Sequence, residues 1–113
     1  MQKFITGIAL ALSTCISAPA IAAESMLTSW YGSYFHGRTT ANGEIYNMYG
    51  LTAAHKTLPF NTKLLVCYKG CTTVRVNDRG PYIGSRQLDL SYGAASEIGL
   101  LWPGVAYTSV SYI

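Results

Sequence analysis

Apolar and polar positions alternate in short runs over most of this chain, the period-2 signature of half-buried strands. Thr62-Lys63-Leu64-Leu65-Val66 and Thr72-Thr73-Val74-Arg75-Val76 are both rich in β-formers and predict the two arms of a hairpin. Between them Tyr68-Lys69-Gly70 reads as a three-residue turn, with Gly70 at the position that favours positive φ. Gln87-Leu88-Asp89-Leu90 alternates again, and Val105 to Ile113 predicts a terminal strand. Ser29-Trp30-Tyr31 ahead of Gly32, and Leu51-Thr52-Ala53-Ala54 ahead of His55, are shorter segments of the same kind. One helix interrupts them: Ser91 is a good N-cap, Tyr92 to Ile98 follow with Ala94 and Ala95, and Gly99 stops it. Short strands at close spacing, Gly/Pro turns and one small helix predict a mainly β fold, a closed or nearly closed barrel.

The first residues break this pattern. Met1-Gln2-Lys3 gives a positive start, Ile5 to Leu12 a short apolar core, and Ala18-Pro19-Ala20-Ile21-Ala22 a small-residue cleavage site. Residues 1–23 therefore read as a secretory signal peptide, and residues 24–113 as a single domain of about 90 residues. The apolar stretch is too short to span a bilayer. Leu12-Ser13-Thr14-Cys15 resembles a lipoprotein signal, but Thr14 fits poorly before the cysteine, so a free periplasmic protein is expected rather than an anchored one.

Export makes the cysteines informative. With Cys15 in the signal, Cys67 and Cys71 remain as an even pair in an oxidising compartment, facing each other across the predicted turn. A disulfide is expected there. A zinc site joining them to His36 and His55 has the wrong spacing, and neither metal nor cofactor is expected. Without Lys3, seven basic residues stand against five acidic ones. They are scattered, which gives no nucleic-acid footprint and permits weak attraction to anionic wall polymer. The chain is expected to act as a monomer.

Candidate chemistry concentrates in three runs. Val76-Asn77-Asp78-Arg79-Gly80-Pro81 seats a carboxylate between a strand and a rigid turn, where scaffolds hold groups fixed yet accessible. Thr40-Ala41-Asn42-Gly43-Glu44 and Ala54-His55-Lys56-Thr57-Leu58-Pro59 supply a second carboxylate and an imidazole. Asp78, His55 and Glu44 form a candidate acid/base set in a chain with only five acidic residues and two histidines. The alternative is that Asp78 only caps a turn through its own backbone. Trp30, Tyr31, Tyr34, Phe35, Tyr46, Tyr49 and Tyr82 lie beside these polar loops, and aromatic faces there suit the C–H faces of sugars.

Taken in order, Ser29-Trp30-Tyr31-Gly32, Phe35 to Glu44, Leu51 to Pro59, Val74 to Pro81 and Leu88-Asp89-Leu90-Ser91 resemble the rare lipoprotein A family. These are septal-ring lytic transglycosylases with a double-psi β-barrel. The resemblance implies a six-stranded double-psi barrel with one or two short helices. It also implies cleavage of peptidoglycan glycan strands, particularly peptide-poor ones, to leave 1,6-anhydro-muramic ends. The turn carrying Cys67 and Cys71 departs from the Asn- and Gly-containing turn more usual in that family. Because the muramic C6 hydroxyl replaces water as nucleophile, one carboxyl group can act first as acid and then as base. Asp78 is the candidate, with its proton affinity raised by burial or a neighbouring carboxylate. His55 would share or orient the proton, and Glu44 would tune Asp78 or bind a sugar hydroxyl. Arg79 is expected to point away from Asp78 or to hold substrate. Tyr31, His36, Arg38, Asn42, Asn77, Arg79, Tyr82 and Asp89 are candidate substrate-binding residues; the alternative for Asp89 is that it helps to fix the turn into the Ser91 helix. The rival reading is a non-catalytic, expansin-like wall-loosening module on the same barrel.

Overall fold

A computed structural model describes residues 23–113. The signal-peptide reading and Cys15 lie outside the described residues.

The predicted strands close on themselves. β1 (Glu24–Tyr31), β2 (Thr52–His55), β3 (Lys63–Cys67), β4 (Cys71–Asp78), β5 (Leu88–Ser91) and β6 (Ala106–Tyr112) form one closed barrel in the order β1-β5-β2-β4-β3-β6. β1 with β5 and β2 with β4 are parallel pairs; every other neighbour is antiparallel. Closure leaves no unpaired strand edge, which matters for a domain with little surface to bury. The inward positions of the alternating runs fill the interior: Leu64 and Val66 from β3, Val74 and Val76 from β4, Leu88 and Leu90 from β5, all at most 1% exposed. Strand β1 begins earlier than the Ser29-Trp30-Tyr31 run, because Met26 and Thr28 continue its inward face.

Helix α1 spans Tyr92–Ile98 as predicted. Ser91 Oγ accepts from the Ala94 N–H, and Gly99 closes the helix at φ 79°. Ala94, Ala95 and Ile98 bury one face in the core. Gly93 lies where a Cβ would come within 2.7 Å of the Tyr49 carbonyl oxygen, so this helical position excludes a side chain.

The hairpin turn departs from expectation. Gly70 is not in the positive-φ region. The turn is fastened to the end of α1 instead: the Lys69 and Gly70 N–H groups both donate to Ile98 O, at 3.0 and 3.2 Å. A Cβ on Gly70 would lie 3.1 Å from Glu97 O, so glycine serves close approach rather than turn geometry. Cys67 and Cys71 pair in register across this turn and form a disulfide. Closing so short a loop stabilises by about 2 kcal/mol on chain-entropy arithmetic. The Cys67→Ser/Cys71→Ser protein is therefore expected to lose about 2 kcal/mol in urea unfolding. An unchanged midpoint would show that the contacts with α1 hold the hairpin unaided.

Candidate active site

A β-bulge decides which side of the barrel wall Asp78 faces. In the parallel β2–β4 pair Ala53 opposes Val76, but Ala54 opposes Asp78, leaving Asn77 as an extra residue. Uninterrupted alternation from Val74 and Val76 would turn Asp78 into the core. The bulge rotates it onto the outer face, the face of Ala54, as bulges beside functional sites commonly do. On the other flank of β2, Ala54 opposes Asp89 of β5. Asp89 lies between inward-facing Leu88 and Leu90 and so points outward as well. Asp78 and Asp89 therefore stand on either side of Ala54, with their backbones two strand spacings apart, roughly 9.5 Å.

The small Ala54 side chain leaves room between them. An open cavity of about 130 Å³ is lined by Tyr31, Phe35, Ala54, Asp78, Arg79 and Asp89. Asp78 Oδ1 accepts 2.9 Å hydrogen bonds from the Ala41 and Arg79 N–H groups. Its Oδ2 has no hydrogen-bond partner among the described residues. Asp89 Oδ1 accepts from Ser29 Oγ at 2.8 Å, its register partner on β1. Burial pushes the Asp89 carboxyl up to about 6; the Asp78 charge adds to this, while Ser29 and Arg86 oppose it. Burial, then the Asp78 charge, push the Tyr31 phenol well above its ordinary value, so it stays a hydrogen-bond donor. Its Oη is buried without a partner among the described residues. Tyr31 stacks on Tyr46 at 4.7 Å and meets the edge of Phe35 at 6.0 Å.

Arg79 lines the cavity without pairing with the Asp78 carboxylate. Its guanidinium lies 3.9 Å from the Phe60 ring centre and donates to the main-chain oxygens of His55 and Asp78. Among the described residues the Asp89 carboxylate accepts from Ser29, while the first amides of α1 donate to Tyr46 Oη, Met48 O and Ser91 Oγ.

Glu44 is drawn elsewhere. Its carboxylate forms a two-pronged pair with Arg75, at 2.7 and 2.9 Å, and also accepts from Asn42 and Asn77. The Arg75 hydrogen bonds, followed by those of Asn42 and Asn77, hold it down to about 2. His55 is not among the residues that line the cavity holding Asp78. It lines a separate open cavity with Lys56, Thr57 and Gln87. Its Nδ1 accepts from the Thr57 and Leu58 N–H groups, both at 3.1 Å, and caps that turn. Burial and the Lys56 and Arg79 charges push its imidazole below the ordinary value. His55→Ala is expected to cost about 1 kcal/mol of stability, the scale of a lost cap, with glycan cleavage kept within about threefold. A loss of two decades or more in kcat, the scale of a missing acid/base group, would return His55 to the proton chemistry.

The remaining candidates also lie outside the cavity lining. His36 accepts from the Met48 N–H through Nδ1 and packs on Tyr49. Arg38 stacks over Tyr34, 4.4 Å from the ring centre, and Tyr82 is exposed on the loop after Pro81. Asn42 and Asn77 belong to the Glu44 cluster. Sequence reasoning named Phe35 only among the aromatics beside the polar loops, and missed Ala54 as a lining residue and Ser29 as the partner of Asp89. Ser29 and Phe35 lie within the quoted sequence blocks, but only the strand pairing reveals their neighbours. Among the described residues no cluster of histidine, cysteine, aspartate or glutamate could hold a metal ion, and no helix is long and apolar enough to cross a membrane.

Comparison with known proteins agrees with this architecture. Residues 23–111 match the family model described as lytic transglycolase. The chain is 50% identical over 93 residues to an endolytic peptidoglycan transglycosylase RlpA of Vibrio cholerae, covering 80% of this chain and 35% of that protein. It is 55% identical over 83 residues to the Campylobacter jejuni protein of the same name, covering 71% and 30%. A 42% identical match to the Pasteurella multocida protein of that name covers 96% of this chain and 38% of the relative. The chain thus spans about a third of the length of these relatives. Among solved structures, a Streptomyces papain inhibitor superposes with a TM-score of 0.65 at 20% identity, over 86% of this chain and 99% of its own. That likeness concerns the fold alone. The barrel is the six-stranded double-psi barrel that the sequence led us to expect.

Proposed function

This chain belongs to the lytic transglycolase family, and we propose that it cleaves the β-1,4 bond between N-acetylmuramic acid and N-acetylglucosamine in peptidoglycan without water. The observation that carries this reading is the placement of Asp78 and Asp89 on either side of Ala54 in one cavity. Asp89, raised to about 6 by burial, holds its proton to a higher pH than an ordinary aspartate, and its protonated form donates to the leaving glycosidic oxygen. Asp78 accepts the proton of the muramic C6 hydroxyl as O6 attacks C1. The C1–O4 bond breaks, the C1–O6 bond forms, and exchange with solvent resets the two carboxyl groups. Tyr31, a donor lining the same cavity, orients a sugar oxygen.

A cavity of this size admits the atoms around the scissile bond and little more. The flanking sugars rest outside it, where exposed Tyr34 and Phe35 offer aromatic faces beside the opening. Peptide-poor strands fit this mouth best, because stem peptides would crowd the rings. On this reading the protein works as a monomer in the cell envelope, after removal of residues 1–23. Mass spectrometry of purified sacculi digested with residues 24–113 tests the proposal. Products ending in 1,6-anhydro-muramic acid support it. Reducing ends would mean hydrolysis, and retained binding without cleavage would mean a wall-loosening module.

A further inference from the structure

Glu44 has too many partners to be a substrate ligand. Two carboxylate oxygens receive four N–H bonds: Oε1 from Arg75 and Asn77, Oε2 from Arg75 and Asn42. Two of these residues, Arg75 and Asn77, lie on β4 just ahead of Asp78. The cluster therefore fastens the loop of residues 40–44 across the bulged end of that strand. Within the loop, Asn42 Oδ1 accepts from the Thr40 hydroxyl and the Glu44 N–H, so the loop moves as one piece. Where it crosses β4, the Asn42 N–H donates to Asn77 O and the Ala41 N–H donates to Asp78 Oδ1. Asn77, 2% exposed, is the inserted bulge residue and anchors the loop from below.

We infer that Glu44 is a positioning residue for Asp78: by holding the 40–44 loop to Arg75 and Asn77, it delivers the Ala41 N–H that fixes Oδ1 and leaves Oδ2 toward the cavity. The catalytic part of this inference rests on Asp78 acting in glycan cleavage; the structural part does not. Glutamine is no mild replacement here. Its amide nitrogen would face N–H donors whichever way it turned, and two of the four bonds would be lost.

The test uses Glu44→Gln, Arg75→Gln and the double variant, with Asn42→Ala as a substitution that loosens the loop without touching Arg75. Hydrogen exchange at the Ala41 amide, followed by NMR, should quicken at least tenfold in each variant, a gain that reports the lost contact directly. With peptide-stripped glycan strands, kcat should fall about tenfold to a hundredfold, as for a reacting group displaced by about 1 Å. KM should stay within about twofold, and the double variant should be no worse than the poorer single. Unchanged Ala41 exchange in folded Glu44→Gln overturns the inference. So does a raised KM at unchanged kcat, which would place Glu44 on the substrate. So does a full kcat in Arg75→Gln beside an inactive Glu44→Gln. If Glu44→Gln does not fold, Asn42→Ala carries the same outcomes. A wild-type protein that cleaves no glycan removes the proposed activity but leaves the exchange result to decide the positioning of Asp78.

Discussion

Asp89→Asn is expected to lose about two to four decades of glycan cleavage, the cost of a missing general acid, while melting at a higher temperature near pH 7. The second half follows from linkage. Folding raises the Asp89 carboxyl from 3.8 to about 6, so between those values the native state holds a proton that the unfolded chain has released. Stability contributed by the neutral carboxyl is complete below about pH 4 and is lost as pH rises toward 6 and beyond. The gap corresponds to at most about 3 kcal/mol. Asparagine cannot ionise, and its side-chain oxygen can still accept from Ser29, so the variant escapes this loss at pH 7 and gains nothing at pH 3. For a domain this size each kcal/mol moves Tm by about 4–8 °C. Calorimetry of both proteins at the two pH values checks it. Equal Tm differences at both would contradict the raised proton affinity, and full activity would leave Asp78 to act alone as acid and base.

Asp78→Asn is the complementary loss. The amide oxygen can still accept from the Ala41 and Arg79 N–H groups, so the loop and the turn should keep their positions. What disappears, on the proposed mechanism, is the group that takes up the C6 hydroxyl proton. Cleavage should fall by about two to four decades, with the affinity for peptide-stripped glycan unchanged within about twofold. Turnover assays paired with calorimetric titration separate the two effects. A weakened affinity with normal kcat would make Asp78 a binding residue, and a fully active Asp78→Asn beside an inactive Asp89→Asn would move the whole acid/base role across β2.

Much of this architecture was legible in the sequence, and the reasons differ by element. The hairpin and α1 are local structures, fixed by alternation, a serine cap and a terminal glycine, so their limits could be read closely. Asp78 was legible as a group fixed at a strand end. Its direction was not, because a bulge has no local signature in Val74-Arg75-Val76-Asn77-Asp78 and depends on its parallel partner. For Asp89 two readings stayed open for a related reason: its neighbour in the sequence is the Ser91 cap, but its neighbours in space come from β1 and β2. Glu44 and His55 sit in runs that look like chemistry, yet their partners are Arg75 and nearby main-chain amides. Residue type alone does not separate a reacting carboxylate from one that holds a loop.

The first strand has no local partner. β1 pairs only with β5 and β6, the last strands to be made, although it contributes Tyr31 to the cavity and Ser29 to Asp89. The β3–β4 hairpin can form as soon as its own residues exist, but the wall carrying Tyr31 must wait for a contact some 60 residues away in sequence, and such long loops close slowly. The cavity is therefore among the last parts of the molecule to be assembled. Until β1 docks, Tyr31 and Ser29 are missing from beside Asp78 and Asp89, so on the proposed function the site is complete only once the first strand has closed against the late ones.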